Sequence, residues 1–190
     1  MRSFTNHTIK PAFFIILIFC LGCATREDFQ RSFIARHVVD GVYTNRVKGF
    51  ELIWPESDAW IFRDYPEFDL SFDHADGRSQ VLIIGVNQLV RRDFPDGFHQ
   101  WIMDRLRAIN SELVSHHTLT NNGQTEKFRI ITRSEFAVER GHSLRVHRKT
   151  DTLLLKRNRN WVAVVTICPV DYYEQKKQEF EVFFDSISML

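Results

Sequence analysis

Three features of this 190-residue sequence could carry chemistry: the thiol of Cys168, the neighbouring imidazoles His116 and His117, and an uneven spread of charge. A cysteine attacks as its thiolate, so a reactive one needs a cation, a helix N-terminus or a histidine beside it. Cys168 instead continues the apolar run Trp161–Ile167 and precedes Pro169, which is the setting of a buried structural thiol. His116 and His117 are adjacent, whereas two histidines reach one metal from a helix at i, i+3 or i, i+4 spacing. They are expected at a solvated helix end, where a protonated imidazole complements the dipole. An exported hydrolase or metal-dependent enzyme using His116, His117 or Cys168 is the alternative reading. Against it, the sequence has no glycine-rich phosphate loop, no G-x-S-x-G and no H-E-x-x-H. Glu51 and Asp69 read as strand surface rather than an acid and base pair. No catalytic residue, metal or cofactor is expected.

The charges are segregated. Residues 51 to 76 hold Glu51, Glu56, Asp58, Asp64, Glu67, Asp69, Asp73 and Asp76 against Arg63 alone. Residues 140 to 159 hold Arg140, Arg145, Arg148, Lys149, Lys156, Arg157 and Arg159 against Asp151. If the second group lies on strands, alternation puts Arg145 and His147 on one face. Arg145, His147, Arg148, Lys149, Lys156 and Arg157 are therefore the candidate binding patch, suited to anionic headgroups, polysaccharide or an acidic envelope protein. The competing reading is two solvated surfaces that balance each other.

A different thiol has a clearer fate. Arg2 and Lys10 precede the apolar run Ala12–Phe19, a charged segment followed by a greasy one. Pro11 to Gly22 is 12 residues, short of the about 20 that span a bilayer as a helix. The following Cys20-Leu21-Gly22-Cys23 resembles the lipobox of bacterial lipoproteins, with Cys20 where leucine is usual. The resemblance implies a signal peptide over residues 1–22, cleavage after Gly22 and lipid on Cys23, palmitate included. Two or more chains give the stable anchoring that one acyl chain lacks. Ala24, rather than aspartate, follows Cys23, so the resemblance favours the periplasmic face of the outer membrane. Removing residues 1–22 takes away Arg2 and Lys10 and turns a formal charge of +1 into −1, which gives no global pull toward nucleic acid. Cys168 is then the one cysteine left unmodified, so no internal disulfide can form.

Residues 23–40 read as a tether with a short helix around Phe29, Phe33 and Ile34, and 41–190 as one domain. Its 17 phenylalanines are enough for a substantial core. Strands are expected at Val42–Asn45 and Phe50–Pro55 around a Lys48-Gly49 turn, at Phe68–Asp73, and at Gln80–Val86, whose unbroken apolar run suits a central strand. Phe98, Ile102, Leu106, Ile109 and Leu113 recur at helical spacing, which predicts a helix from Asp96 to Val114. A polar loop at Thr120–Gln124 follows. Further strands are predicted at Phe128–Val138, Leu144–His147, Thr152–Lys156 and Trp161–Ile167, with Arg157–Asn160 as a hairpin tip. A last helix, capped by Asp171, carries Tyr173, Phe180, Phe183, Phe184 and Ile187. The class is α+β, an α/β/α sandwich around a mainly antiparallel sheet.

Several pieces carry a second resemblance: Tyr43-Thr44-Asn45, the stretch Gly49–Pro55, the strand Trp161–Ile167, and Phe183-Phe184-Asp185-Ser186-Ile187. Together they resemble the PsbP-like superfamily, the fold of the photosystem II extrinsic subunit P, its bacterial relatives and the nuclear-import factor Mog. The resemblance spans about residues 41 to 190. It implies a docking or accessory module and lends no catalytic motif. The expectation is a lipid-anchored cell-envelope protein of non-catalytic accessory or binding type, held to a membrane through Cys23.

Overall fold

The computed structural model describes residues 26–87, Asp104, 111–121, 125–140 and 142–190. The chain divides into two compact units, Met1–His37 and Val38–Leu190. The described part of the first is helix α1, Arg26–His37. Within it the Phe33 and His37 rings, one helical turn apart, lie 4.6 Å apart.

The second unit is mostly sheet. Strands β1 (Val38–Val39), β2 (Val42–Asn45), β3 (Phe50–Ile53) and β11 (Ile187–Met189) form a four-stranded sheet in that order. The larger sheet runs β4 (Trp60–Arg63), β5 (Leu70–His74), β6 (Gln80–Asn87), β10 (Asn160–Pro169), β9 (His142–Arg157), β8 (Thr125–Arg140) and β7 (Glu112–Asn121). Every pairing in both is antiparallel. The expected Lys48-Gly49 turn joins β2 to β3. Gly49 sits at φ +73°, where a β-carbon would also run into the Asn160 amide, so only glycine fits. Asn45 ties the turn twice: its carbonyl accepts from Gly49 N–H at 2.8 Å and its side chain from Lys48 N–H at 3.0 Å.

Helix α2, Tyr173–Ser186, packs on one face of the large sheet. Tyr173, Phe180, Phe183 and Phe184 are buried, the spacing of a single apolar stripe. Phe183 meets Trp60 at 5.1 Å and Phe72 at 5.3 Å between ring centroids, and Trp54 at the end of β3 packs on Phe62 and Phe72. Each such fully buried apolar side chain contributes about 1.5–3 kcal/mol. On the other face Ile130, Leu154, Trp161 and Ala163 form a second buried cluster.

Several sequence expectations are corrected. The last helix ends at Ser186, whose hydroxyl donates to the Phe183 carbonyl at 2.9 Å. Ile187 opens β11 instead, because β3 offers a free edge and Ile187 and Met189 alternate inward. Asp171 does not cap α2. It lies in a 3-10 turn, Val170–Tyr172, and Tyr172 is the N-cap, without a side-chain bond. Most of the predicted helix from Asp96 to Val114 lies outside the described residues. Asp104 is helical, but Glu112–Val114 belong to β7, where Leu113 pairs with Thr132. Thr120 and Asn121 are likewise strand rather than loop. Leu144–His147 and Thr152–Lys156 are parts of one 16-residue strand, β9. Lys149-Thr150-Asp151 reads as a break because an inward aspartate is costly without partners. β4, with Trp60 and Phe62 alternating inward, was not anticipated.

Candidate functional site

The groups with chemistry gather where α2 crosses the large sheet. Cross-strand register places Thr166, Asp151 and Ile131 in one row of the face toward α2, and Cys168, Lys149 and Arg133 in the next. Lys176 shares the helix stripe with Tyr173 and Phe180, so the helix brings a cation onto that same face.

Asp151 is fully buried in the middle of β9. Arg129 on β8 grips it with two parallel bonds, Nε to Oδ1 at 2.9 Å and Nη2 to Oδ2 at 2.6 Å. The Tyr173 hydroxyl donates to the same Oδ2, and the Thr166 hydroxyl donates to the Asp151 carbonyl at 3.0 Å. Arg129 also reaches Glu181 at 2.6 Å and lies over the Phe184 ring at 4.9 Å. The Asp151 bond, with further help from Glu181, outweighs burial and raises the Arg129 pKa above its already high value. Burial, reinforced by Asp151, keeps Tyr173 protonated far into the alkaline range. Lys149 Nζ sits 3.5 Å from the Tyr173 ring centroid and 3.6 Å from the exposed Glu174.

A second cluster surrounds His74 at the end of β5. Its Nδ1 lies 3.0 Å from Asp76 Oδ2, and its Nε2 lies 3.3 Å from Glu179 Oε2 and 3.0 Å from Lys176 Nζ. Lys176 bonds Glu179 at 2.8 Å and lies 3.6 Å from Asp76. The Trp60 ring meets the imidazole edge-on at 4.8 Å. A protonated imidazole can donate to both carboxylates. A neutral one carrying its proton on Nε2 accepts from the Asp76 N–H at 3.1 Å and donates to Glu179, and one carrying it on Nδ1 donates to the Asp76 carboxylate and accepts from Lys176. Either state holds the β5–β6 turn to α2. Burial alone would raise Asp76, but the Arg78 N–H, His74 and Lys176 together hold it below the ordinary carboxylate value.

Cys168 lies between the clusters and is fully buried. Burial pushes its thiol up to about 11, with Lys149 and Lys176 opposing and Asp76 and Asp151 adding. A thiol so placed is not poised as a nucleophile.

The sequence-derived basic residues do not form one surface. Arg145 pairs with Ala137, and its side chain lies outside what is described. His147 and Arg148 are exposed on adjacent positions of β9, so they project to opposite faces. Lys149 turns toward Tyr173. Lys156 pairs with Glu126 at 2.9 Å and reaches the Trp161 ring at 5.3 Å, while Arg157 donates to the Met189 carbonyl at 2.9 Å. The eight steps from Arg148 to Lys156 cover about 27 Å, so they occupy different ends of the sheet. Gly22 and Cys23 lie outside the described residues. His116 and His117 are both exposed on β7, opposite Ile130 and Arg129, rather than at a helix end. Among the described residues no three His, Cys, Asp or Glu side chains group to hold a metal. No helix among them is long and apolar enough to cross a membrane.

Arg129, His74, Lys176 and Glu179 escape a sequence reading because each sits in an ordinary polar context. Asp151 does leave a trace, as a lone acid inside a basic, otherwise apolar strand.

The chain matches no family profile and no curated protein. Among solved structures it is similar to cyanobacterial PsbP (CyanoP) from Synechocystis sp. PCC 6803, with a TM-score of 0.53 and 15% identity over 80% of this chain and 95% of that one. The Ran-binding protein Mog1p of Saccharomyces cerevisiae gives a TM-score of 0.48 at 10% identity, covering 78% and 94%. A Mog1 mutant gives 0.47 at 11%, covering 74% and 90%. The chain thus carries a domain of PsbP-like fold, built of antiparallel sheets with a few helices.

Proposed function

We propose that this chain is a lipid-anchored protein of the cell envelope, exported, cut after Gly22 and acylated on Cys23, with an accessory or binding role rather than a catalytic one. The observation that carries the anchoring is the sequence of a cationic start, a 12-residue apolar stretch from Pro11 to Gly22 and Cys23 directly behind a small residue. Ala24 after the cysteine supports the periplasmic face of the outer membrane. The accessory role is supported by what the polar groups do: Asp151 is saturated by Arg129 and Tyr173, and the Cys168 thiol is buried and held protonated. These groups brace the fold. An α/β/α layering belongs to the same proposal, supported by burial on both faces of the large sheet, Phe72 and Val164 on one and Ile130 and Leu154 on the other.

Labelling cells with a palmitate analogue and taking the mass of the purified protein tests this reading. The expected product begins at an acylated Cys23, and Cys23→Ala loses both label and membrane fractionation. An intact Met1 end without acyl groups would overturn it.

A further inference from the structure

The turns at one end of the second unit bring cations together that the sequence keeps far apart. The β2–β3 turn packs beside the β9–β10 hairpin, since Gly49 abuts the Asn160 side chain. The Gly49 carbonyl accepts from Leu190 N–H at 3.0 Å, and Arg157 holds the neighbouring Met189 carbonyl at 2.9 Å. This end therefore collects Arg46 and Lys48 from one turn and Arg157 and Arg159 from the other. Lys156 lies at the end of β9, and Lys127 enters on β8 two residues past Thr125, the partner of Arg157. Among the described residues, two acids answer inside the group. Asp69 takes Lys48 at 2.6 Å and Glu126 takes Lys156 at 2.9 Å. Asp64 and Glu67 belong to the β4–β5 loop at the same end; Asp69 of that loop touches the β2–β3 turn through Lys48, and β6 stands between the loop and the β9–β10 hairpin. Arg46 and Arg159 are exposed, and between Arg46 and Lys48 stands Val47, 78% exposed.

We propose that this end docks on a membrane surface rich in anionic phospholipid, with Val47 entering the headgroup layer and the exposed Arg46 and Arg159 facing phosphates. An apolar tip ringed by cations matches such a surface in both respects, whereas an acidic protein would need the charges but not the bare valine. The proposal rests on the lipid-anchored reading, because a tether keeps the domain within reach of the bilayer.

The test uses the product of the full-length gene, purified from cell membranes as Val47→Cys. Position 47 carries an environment-sensitive fluorophore, and Cys168 stays unlabelled because it is buried. The protein is mixed with phosphatidylcholine vesicles with or without phosphatidylglycerol. The expected result is flotation with both and a blue shift only with phosphatidylglycerol, reversed by salt as the screening length shrinks from about 10 Å at 0.1 M to 3 Å at 1 M. Arg46→Glu with Arg159→Glu should abolish the shift with an unchanged circular dichroism spectrum, and each single loss of a cation should weaken it about fivefold. Flotation without the shift overturns docking and leaves anchoring intact. A shift with phosphatidylglycerol but no flotation with phosphatidylcholine, reproduced in Val47→Cys protein that also carries Cys20→Ser and Cys23→Ser, supports docking and overturns anchoring. Flotation with neither overturns both. A shift with a soluble polyanion but not with phosphatidylglycerol overturns the lipid assignment in favour of an acidic macromolecule.

Discussion

Two charged clusters lie under the same helix and have opposite characters. Around Asp151, a carboxylate with no exposed surface meets an Arg129 side chain only 18% exposed, and Arg129 and Tyr173 both donate to it. Around His74, the Asp76 and Glu179 side chains are 26% and 38% exposed, and the imidazole has more partners than it can satisfy in one protonation state. Burial makes the first pair costly to break, because one ion would be left without water or partner. Water and alternative partners make the second inexpensive to rearrange. The helix α2 is therefore joined to β8 and β9 through a buried carboxylate, by way of Tyr173, and to the β5–β6 turn through partly exposed ion pairs.

The sharpest way to break this contrast is Arg129→Ala, which leaves Asp151 buried and uncompensated. A loss of about 3–5 kcal/mol in urea unfolding is expected. A loss as small as that of His74→Gln would erase the distinction. Next comes the thiol between the clusters. In a Cys20→Ser, Cys23→Ser background, Cys168 should resist alkylation at neutral pH until the protein unfolds. A shift from 9.0 to about 11 leaves roughly a hundredfold less thiolate, before access is counted. Labelling at the rate of a free thiol would mean that α2 lifts readily. Tyr173→Phe removes one donor to Asp151 but keeps the ring, so about 1–3 kcal/mol should be lost, by thermal or urea unfolding.

The smallest effects belong to the His74 cluster. Asp76→Asn should cost under about 1 kcal/mol at neutral pH, as exposed pairs do. Because the folded Asp76 titrates below its ordinary 3.8, its contribution is present above that value and lost as pH falls through the lower folded one. Urea midpoints of wild type and Asp76→Asn should therefore differ near neutrality and converge in acid. A gap that widened in acid would reverse the assigned sign.

Much of the scaffold was legible because local patterns stated it. The Lys48-Gly49 turn, the apolar run of β6, the Arg157–Asn160 tip and the aromatic stripe of α2 each follow from a few neighbouring residues. Where pattern failed, a distant partner decided. Leu113 fits a helical period yet pairs with Thr132, and Ile187 continues a helical stripe yet completes a sheet beside Leu52. Asp151 interrupts an apolar strand on paper and is absorbed in space by Arg129, 22 residues away, and by Tyr173.

By itself the sequence determined the alternations, turns and stripes, because strand and helix periods are properties of consecutive residues. It also carried the basis of the anchoring proposal, a spacing of charge, grease and thiol. Only the tertiary structure decided which charges meet. It divided the basic residues of β9 between two faces and two ends, and it set His74 on β5 against Lys176 and Glu179, a hundred residues later, on α2. Electrostatic partnership depends on distance through space and on exclusion of water, and neither is written along the chain.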